Sequence, residues 1–280
     1  MLTASLSDGA VTGVLVVVAG ALGAAQGSYL VESRRPVEGN ALMVVTGSTA
    51  QLCALRFISE SEVAALGGIV ASITVVLARM RGERVSRREW VACGVVVVAS
   101  AVVARAAPAL APPAHMPHLT LVVGGYVCVF LLGRGAARVA ADGPVRGAVA
   151  AGLVGGFTNT LTKAWVFGGV EVWGLGALVF ASAQLALLNV ALATWGARAV
   201  NPVYHTALMV SVVCVGGAAF GEFDAASPAA AGVFCAAAAV SAAASLVLAL
   251  ASPTVPHQKP SAGGGTGGTG GTETVGTTFV

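Results

Sequence analysis

Few side chains inside the apolar runs of this 280-residue chain can do chemistry. Lys163 is the one lysine or arginine that lies inside such a run rather than at its end. A lysine there either contacts an anionic group of a solute, holds a helix carbonyl, or snorkels to the surface about five residues away. Its ammonium has no lone pair, so it is not a metal ligand. Asn159 and Asn189 carry amide oxygens that suit a hard cation or its waters, or that join two helices by a hydrogen bond. Gln184 stands five residues before Asn189, so on a helix the two point well over a right angle apart and at most one faces a shared cavity. Pro202 lacks a donor and is expected to start or kink a helix. Tyr204 and His205 follow it, and His205 is either a proton relay or a packed residue. Gln26, Ser28, Ser48, Thr49 and Gln51 could line an opposite wall. No carboxylate falls in the middle of a run, so a hard divalent cation would pass along neutral oxygens and bind weakly. The metal ligands therefore stay unknown at this level. No nucleophile stands in a catalytic motif and there is no P-loop, so neither an enzyme nor a cofactor is expected.

The elements that must hold these residues are set by composition. The chain is 56% hydrophobic and 10% charged, with a mean hydropathy of +0.86. Soluble domains carry about 25% charged residues. The deficit excludes a soluble enzyme, a nucleic-acid binder and a disordered chain. Apolar runs near 10–31, 40–56, 62–79, 90–106, 119–133, 147–168, 172–195, 200–220 and 228–251 predict nine transmembrane helices, the fifth being the weakest. Continuous Ala, Gly, Val and Leu argue against a barrel, which would alternate. The fold class expected is an all-α polytopic membrane protein.

Charge placement tests that number. Nine helices put Arg34, Arg35, Arg79, Arg81, Arg84, Arg87, Arg88, Arg134, Arg138, Arg146, Arg198 and Lys259 on one face, and only Arg56 and Arg105 on the other. Twelve against two makes the first face cytoplasmic, with the N-terminus outside and the C-terminus inside. Asp8, Glu60, Glu62, Glu171, Glu222 and Asp224 fall on the outer face, either as a negative mouth that gathers cations or as solvated loop ends. The five cysteines lie within apolar runs and read as packing residues. Gly23/Gly27, Gly152/Gly156 and Gly217/Gly221 have the small-xxx-small spacing of close helix packing. Residues 252–280 are rich in Gly and Thr and read as a disordered cytoplasmic tail.

Two stretches share a layout. Val63 to Gly67 leads through an apolar helix to Arg81-Gly82-Glu83 and then Gly94, while Val200 to Tyr204 leads to Phe220-Gly221-Glu222 and then Gly232. Glu83 and Glu222 fall on opposite faces, so the halves are inverted: repeat one at about 10–106, a linker helix at 119–133, and repeat two at 147–251. Such repeats are characteristic of secondary transporters, with the site near the midplane.

The second half resembles the NIPA-type magnesium transporters of the drug/metabolite transporter superfamily. Gly156-Phe157-Thr158-Asn159-Thr160-Leu161-Thr162-Lys163-Ala164 is similar to that family's G-S-x-T-V-x-S-V-K-A. Gln184-Leu185-Ala186-Leu187-Leu188-Asn189-Val190-Ala191-Leu192 is similar to its Q-x-x-Y-L-N-x-A-L, and Val200-Asn201-Pro202-Val203-Tyr204-His205 to its V-S-P-I-Y-Y. Glu222 falls where the family has an acid. In the first half Ser48 stands for the family's acid and Gln51 for its Asn. The resemblance implies transport of Mg2+ or a related divalent cation along a pathway of Lys163, Asn159, Asn189, Gln184, Pro202, Tyr204, Gln51 and Ser48. The alternatives are a small-solute transporter of the same superfamily and a non-transporting membrane scaffold. The partners expected are the lipid bilayer and Mg2+ or another small solute, with a homodimer as an open alternative and no nucleic acid. The location expected is the plasma membrane or an endomembrane.

Overall fold

The computed structural model describes residues 8–107, 124, 127, 131, 145–168, 171–217, 220–224 and 226–252. Their regular elements are all helical. The first helix, α1 (Asp8–Glu32), is 25 residues, or roughly 37 Å at 1.5 Å per residue. It ends where Arg34 turns to φ 61°, and Pro36 at the first position then opens α2 (Pro36–Leu42). A π-helical segment, Met43–Ser48, joins α2 to α3 (Thr49–Ala54). Ser59 caps α4 (Glu60–Leu66) by accepting the Glu62 N–H at 3.1 Å. Gly67 and Gly68 separate α4 from α5 (Ile69–Met80). A capping box of Ser86 and Glu89 starts α6 (Arg87–Ala106). Then follow α7 (Val145–Gly168), α8 (Glu171–Trp195), α9 (Ala197–Ser211) with a π-helical segment at Val212–Gly216, and α10 (Pro228–Ala251), capped by Ser227.

Among the described residues, six helices are long and apolar enough to cross a membrane: α1, α4–α5 together, α6, α8, α9 with its π segment, and α10. The expected spans at 40–56 and 147–168 are helical as well but do not meet that measure. The first is broken into short pieces, and the second is α7, which carries Arg146, Asn159, three threonines and Lys163. The expected span at 119–133 and the expected tail lie outside the described residues, apart from three isolated positions in the former.

Small residues let the helices approach. A Cβ on Gly152 would stand 2.5 Å from the Tyr204 carbonyl oxygen, and one on Gly156 2.3 Å from Ser211 Oγ, which locks α7 against α9. Gly23 and Gly27 likewise face Thr46 and Met43. The third expected pair is corrected. Gly217 does meet Phe223 and Ser61, but Gly221 is a turn residue at φ 62°. The outward faces are apolar: Val172, Leu175, Leu178, Val179 and Val190 of α8 are each more than half exposed. An apolar groove of about 580 Å³ runs between α6 and α10, lined by Val91, Gly94, Val98, Val102, Val233 and Val240. A soluble surface rarely shows apolar patches of this extent.

Candidate functional site

The polar side chains that the apolar faces exclude gather at two ends of the bundle. At one end Lys163, near the end of α7, reaches α4 and the turn after α9. Its Nζ contacts Glu222 Oε1, lies 3.9 Å from Glu60 Oε2, and sits 4.2 Å from the centre of the Phe220 ring. Thr160, one turn earlier on α7, places its hydroxyl 3.3 Å from Glu60 Oε1. The Glu222 carboxylate also accepts the backbone N–H groups of Glu60 and Ser61, each at 3.0 Å. It thus caps a helix from a distant part of the chain, where the exposed N–H groups and the helix dipole favour an anion.

Local sequence explains how Glu222 gets there. Gly221 adopts the left-handed conformation, and the Glu222 N–H bonds back to the Gly217 carbonyl at 3.0 Å. The chain reverses at the helix end, which brings the next side chain over α4. Lys163 is 5%, Glu60 1% and Glu62 3% exposed. The expectation that these acids are solvated loop ends is therefore corrected for Glu60, Glu62 and Glu222. An isolated buried ammonium is costly, and two carboxylates within reach offset that cost. Lys163 consequently neither snorkels nor waits for an anionic partner.

At the opposite end Arg198 plays the central part. Its Nη1 bonds Glu83 Oε2 at 2.9 Å, and its Nη2 bonds Glu89 Oε1 and lies 3.4 Å from the Arg84 carbonyl oxygen. Arg198 is 7% exposed, so it is not the free loop charge that its place beside a span suggested. Glu32, at the end of α1, accepts the Ala197 N–H at 2.9 Å and caps α9. Pro202 lies inside α9, five residues beyond its first, rather than at its start. Its ring nitrogen has no hydrogen to give the carbonyl four residues earlier, that of Arg198. Ser252 Oγ lies 3.3 Å from that same oxygen and 2.9 Å from the Leu248 carbonyl oxygen of its own helix, so its single hydrogen is shared between the two.

Between these ends lie two smaller polar groups. Gln184 donates to the Tyr204 hydroxyl, and His205 packs edge-on against the Tyr204 ring at 4.7 Å. Nearer Arg198, Ser28 donates to Asn201 Oδ1 at 3.1 Å, and Asn201 Nδ2 donates to Thr74 Oγ1 at 3.0 Å. The Tyr29 hydroxyl donates to the Thr74 carbonyl at 3.0 Å. These bonds link α1, α5 and α9.

The expected pathway residues separate accordingly. Lys163 and Asn159 are buried on α7, Asn159 one turn below Lys163. Gln184 and Tyr204 meet. Asn189 is half-buried on α8, and its Oδ1 accepts no hydrogen bond among the described residues. Pro202 serves the fold of α9. Ser48 is exposed and Gln51 half-buried on a stretch that packs chiefly on α1, away from Lys163. Residue reasoning missed Glu60, Thr160, Arg198, Asn201 and Thr74. Asn201 stood in the motif with Pro202, and Thr160 in the one with Lys163.

The carboxylates do not build a preformed metal cage, since no group of three His, Cys, Asp or Glu that could hold a metal occurs among the described residues. Two carboxylates and a hydroxyl from separate segments, α4, the turn after α9 and α7, can instead hold a cation that keeps much of its water. No protein-family model matches the chain, and no curated protein or solved structure matches it either.

Proposed function

We propose that the chain is an integral membrane protein that transports Mg2+ or a related divalent cation, as its resemblance to NIPA-type transporters implies. The observation that carries the reading is the meeting of Glu60 and Glu222 around Lys163 in a buried place. It supplies the carboxylates that the middle of the apolar runs lacks. It also favours a cation over an anionic solute, because the lysine that would greet an anion is already engaged by two carboxylates.

The nine-span, inverted-repeat arrangement is part of the proposal, and a reciprocity of contacts supports it. At one end, the end of α7 and the turn after α9 meet the start of α4 through Lys163, Glu222 and Glu60. At the other, the end of α1 and the turn after α5 meet the start of α9 through Glu32, Glu83 and Arg198. Exchanging the two proposed repeats exchanges these two sets. Ala106 packs with Phe223 and Phe234 at the Lys163 end, whereas Val145 packs in the cluster of Leu192 and Ala197 toward the Arg198 end. An odd number of crossings between them fits those positions.

The test is Mg2+ entry into liposomes that hold the purified protein and a magnesium-sensitive dye. Entry driven by an inside-negative voltage, absent from protein-free liposomes, is expected. Equal rates in both would end the cation reading and leave the scaffold.

A further inference from the structure

We propose that Lys163 is an internal competitor for the transported cation: its ammonium holds the divalent-cation site shut and leaves when the cation enters. This rests on the cation reading of the same carboxylates. Three observations carry it. First, the ammonium lies between carboxylates from two separate segments, with a hydroxyl from its own helix beside them. These are Glu222 Oε1, Glu60 Oε2 and Thr160 Oγ1, the hard oxygen ligands that a hydrated divalent cation takes. Second, Glu60 Oε2 is buried and accepts no hydrogen bond among the described residues. Lys163 stands 3.9 Å from it, beyond hydrogen-bonding distance, so one arm of the site is held by charge alone. Third, the Phe220 ring lies beside the ammonium, a face that can keep a cation partly paired when the carboxylates turn to another.

A divalent ion attracts the pair of carboxylates about twice as strongly as an ammonium at the same distance, since the energy scales with charge. The lysine has four methylenes through which to withdraw, and it keeps all its protons. No bond is made or broken. Where a purely structural ion pair would be indifferent to Mg2+, this one is coupled to it. By linkage, whatever frees the lysine must tighten the cation, and the reverse.

The sequence offers a direct readout, because Lys163 and Lys259 are its only lysines. The full chain in detergent is treated briefly with acetic anhydride, and acetylation of the two lysines is compared by peptide mass spectrometry. Mg2+ is raised at constant ionic strength against choline chloride. Lys163 should acetylate several-fold faster with Mg2+, relative to Lys259, and the effect should saturate. Glu222→Gln should raise the rate without Mg2+ and flatten the dependence. A Lys163 rate that is unchanged or lowered by Mg2+ in the unaltered protein overturns the inference, whether or not the variant folds. Mg2+ entry into liposomes with a flat Lys163 rate would leave transport standing and remove the competitor. A responsive Lys163 without entry would leave a cation site in a protein that does not transport.

Discussion

Glu222 shows how much one side chain can organise. It pairs the only lysine among the described residues, and it caps α4 from another part of the chain. Glu222→Gln keeps a carbonyl oxygen for the cap but leaves the buried ammonium short of its main partner. Breaking one side of a buried pair costs about 3–5 kcal/mol. The variant should therefore unfold at clearly lower temperature in detergent, followed by tryptophan fluorescence. Adding Lys163→Met should recover part of the loss, because it removes the stranded charge; strictly additive losses would show that the two do not interact. This residue-level site was only half legible in the sequence. Lys163 stood out as a charge within an apolar run. Glu60 and Glu222 sit at the edges of such runs, where a solvated carboxylate and a buried one look alike. What separates them is a contact across 59 or more positions of chain, together with the left-handed turn at Gly221.

At the scale of elements, α9 is the clearest case of a local defect repaired by another helix. Pro202 deprives the Arg198 carbonyl of its helical donor, and the hydroxyl of Ser252, just past α10, is shared between that oxygen and the Leu248 carbonyl. Ser252→Ala should cost about 1 kcal/mol, the usual net worth of such a bond. In a Pro202→Ala background the backbone N–H returns, so Ser252→Ala should then cost less. Thermal unfolding of the four proteins measures the difference, and equal costs in both backgrounds would contradict the repair. A second element-level prediction concerns the turn that aims Glu222. Gly221→Ala forces a left-handed alanine with its Cβ against Asp224. That strain, of order 1 kcal/mol, should lower thermal stability and slow Mg2+ entry together. Unchanged entry would show that the aim of Glu222 does not matter for transport. Helix positions were legible from run length: 171–195 and 228–251 differ from expectation by a residue at most. The π segment at 43–48 was not, because no proline or paired glycine interrupts that stretch, whereas the break at 67–68 falls on a Gly-Gly pair inside an otherwise continuous apolar run.

For the whole molecule, the described helices sort their charges to two ends. Arg198 with Glu83 and Glu89 lies at one end, and Lys163 with Glu60 and Glu222 at the other. Each end is closed by buried ion pairs, and the Gln184–Tyr204 and Ser28–Asn201–Thr74 contacts lie between. On the proposed reading, this is a transporter shut on both sides, one end of which opens while the other holds. The proposed nine crossings place 106 and 252 on opposite sides of the membrane. A fluorescent protein fused after Ala106 should stay dark in a bacterial host, where it would be exported, and one fused after Ser252 should fluoresce. Fluorescence from both would contradict the odd number of crossings between α6 and α7. Composition made the membrane reading legible, and sorting a few charges suggested the orientation. The pairing of the two ends was not legible, since it depends on which helix starts meet which helix ends in space.

The most direct test of the cation reading is the initial rate of voltage-driven Mg2+ entry into liposomes, compared between the unaltered protein and a variant carrying Glu60→Gln and Glu222→Gln. The variant must be present at equal amount and remain folded. Entry with the unaltered protein and a loss of at least most of that rate in the variant are expected. Equal rates in the two would contradict it, because the buried carboxylates would then have no part in passing the ion.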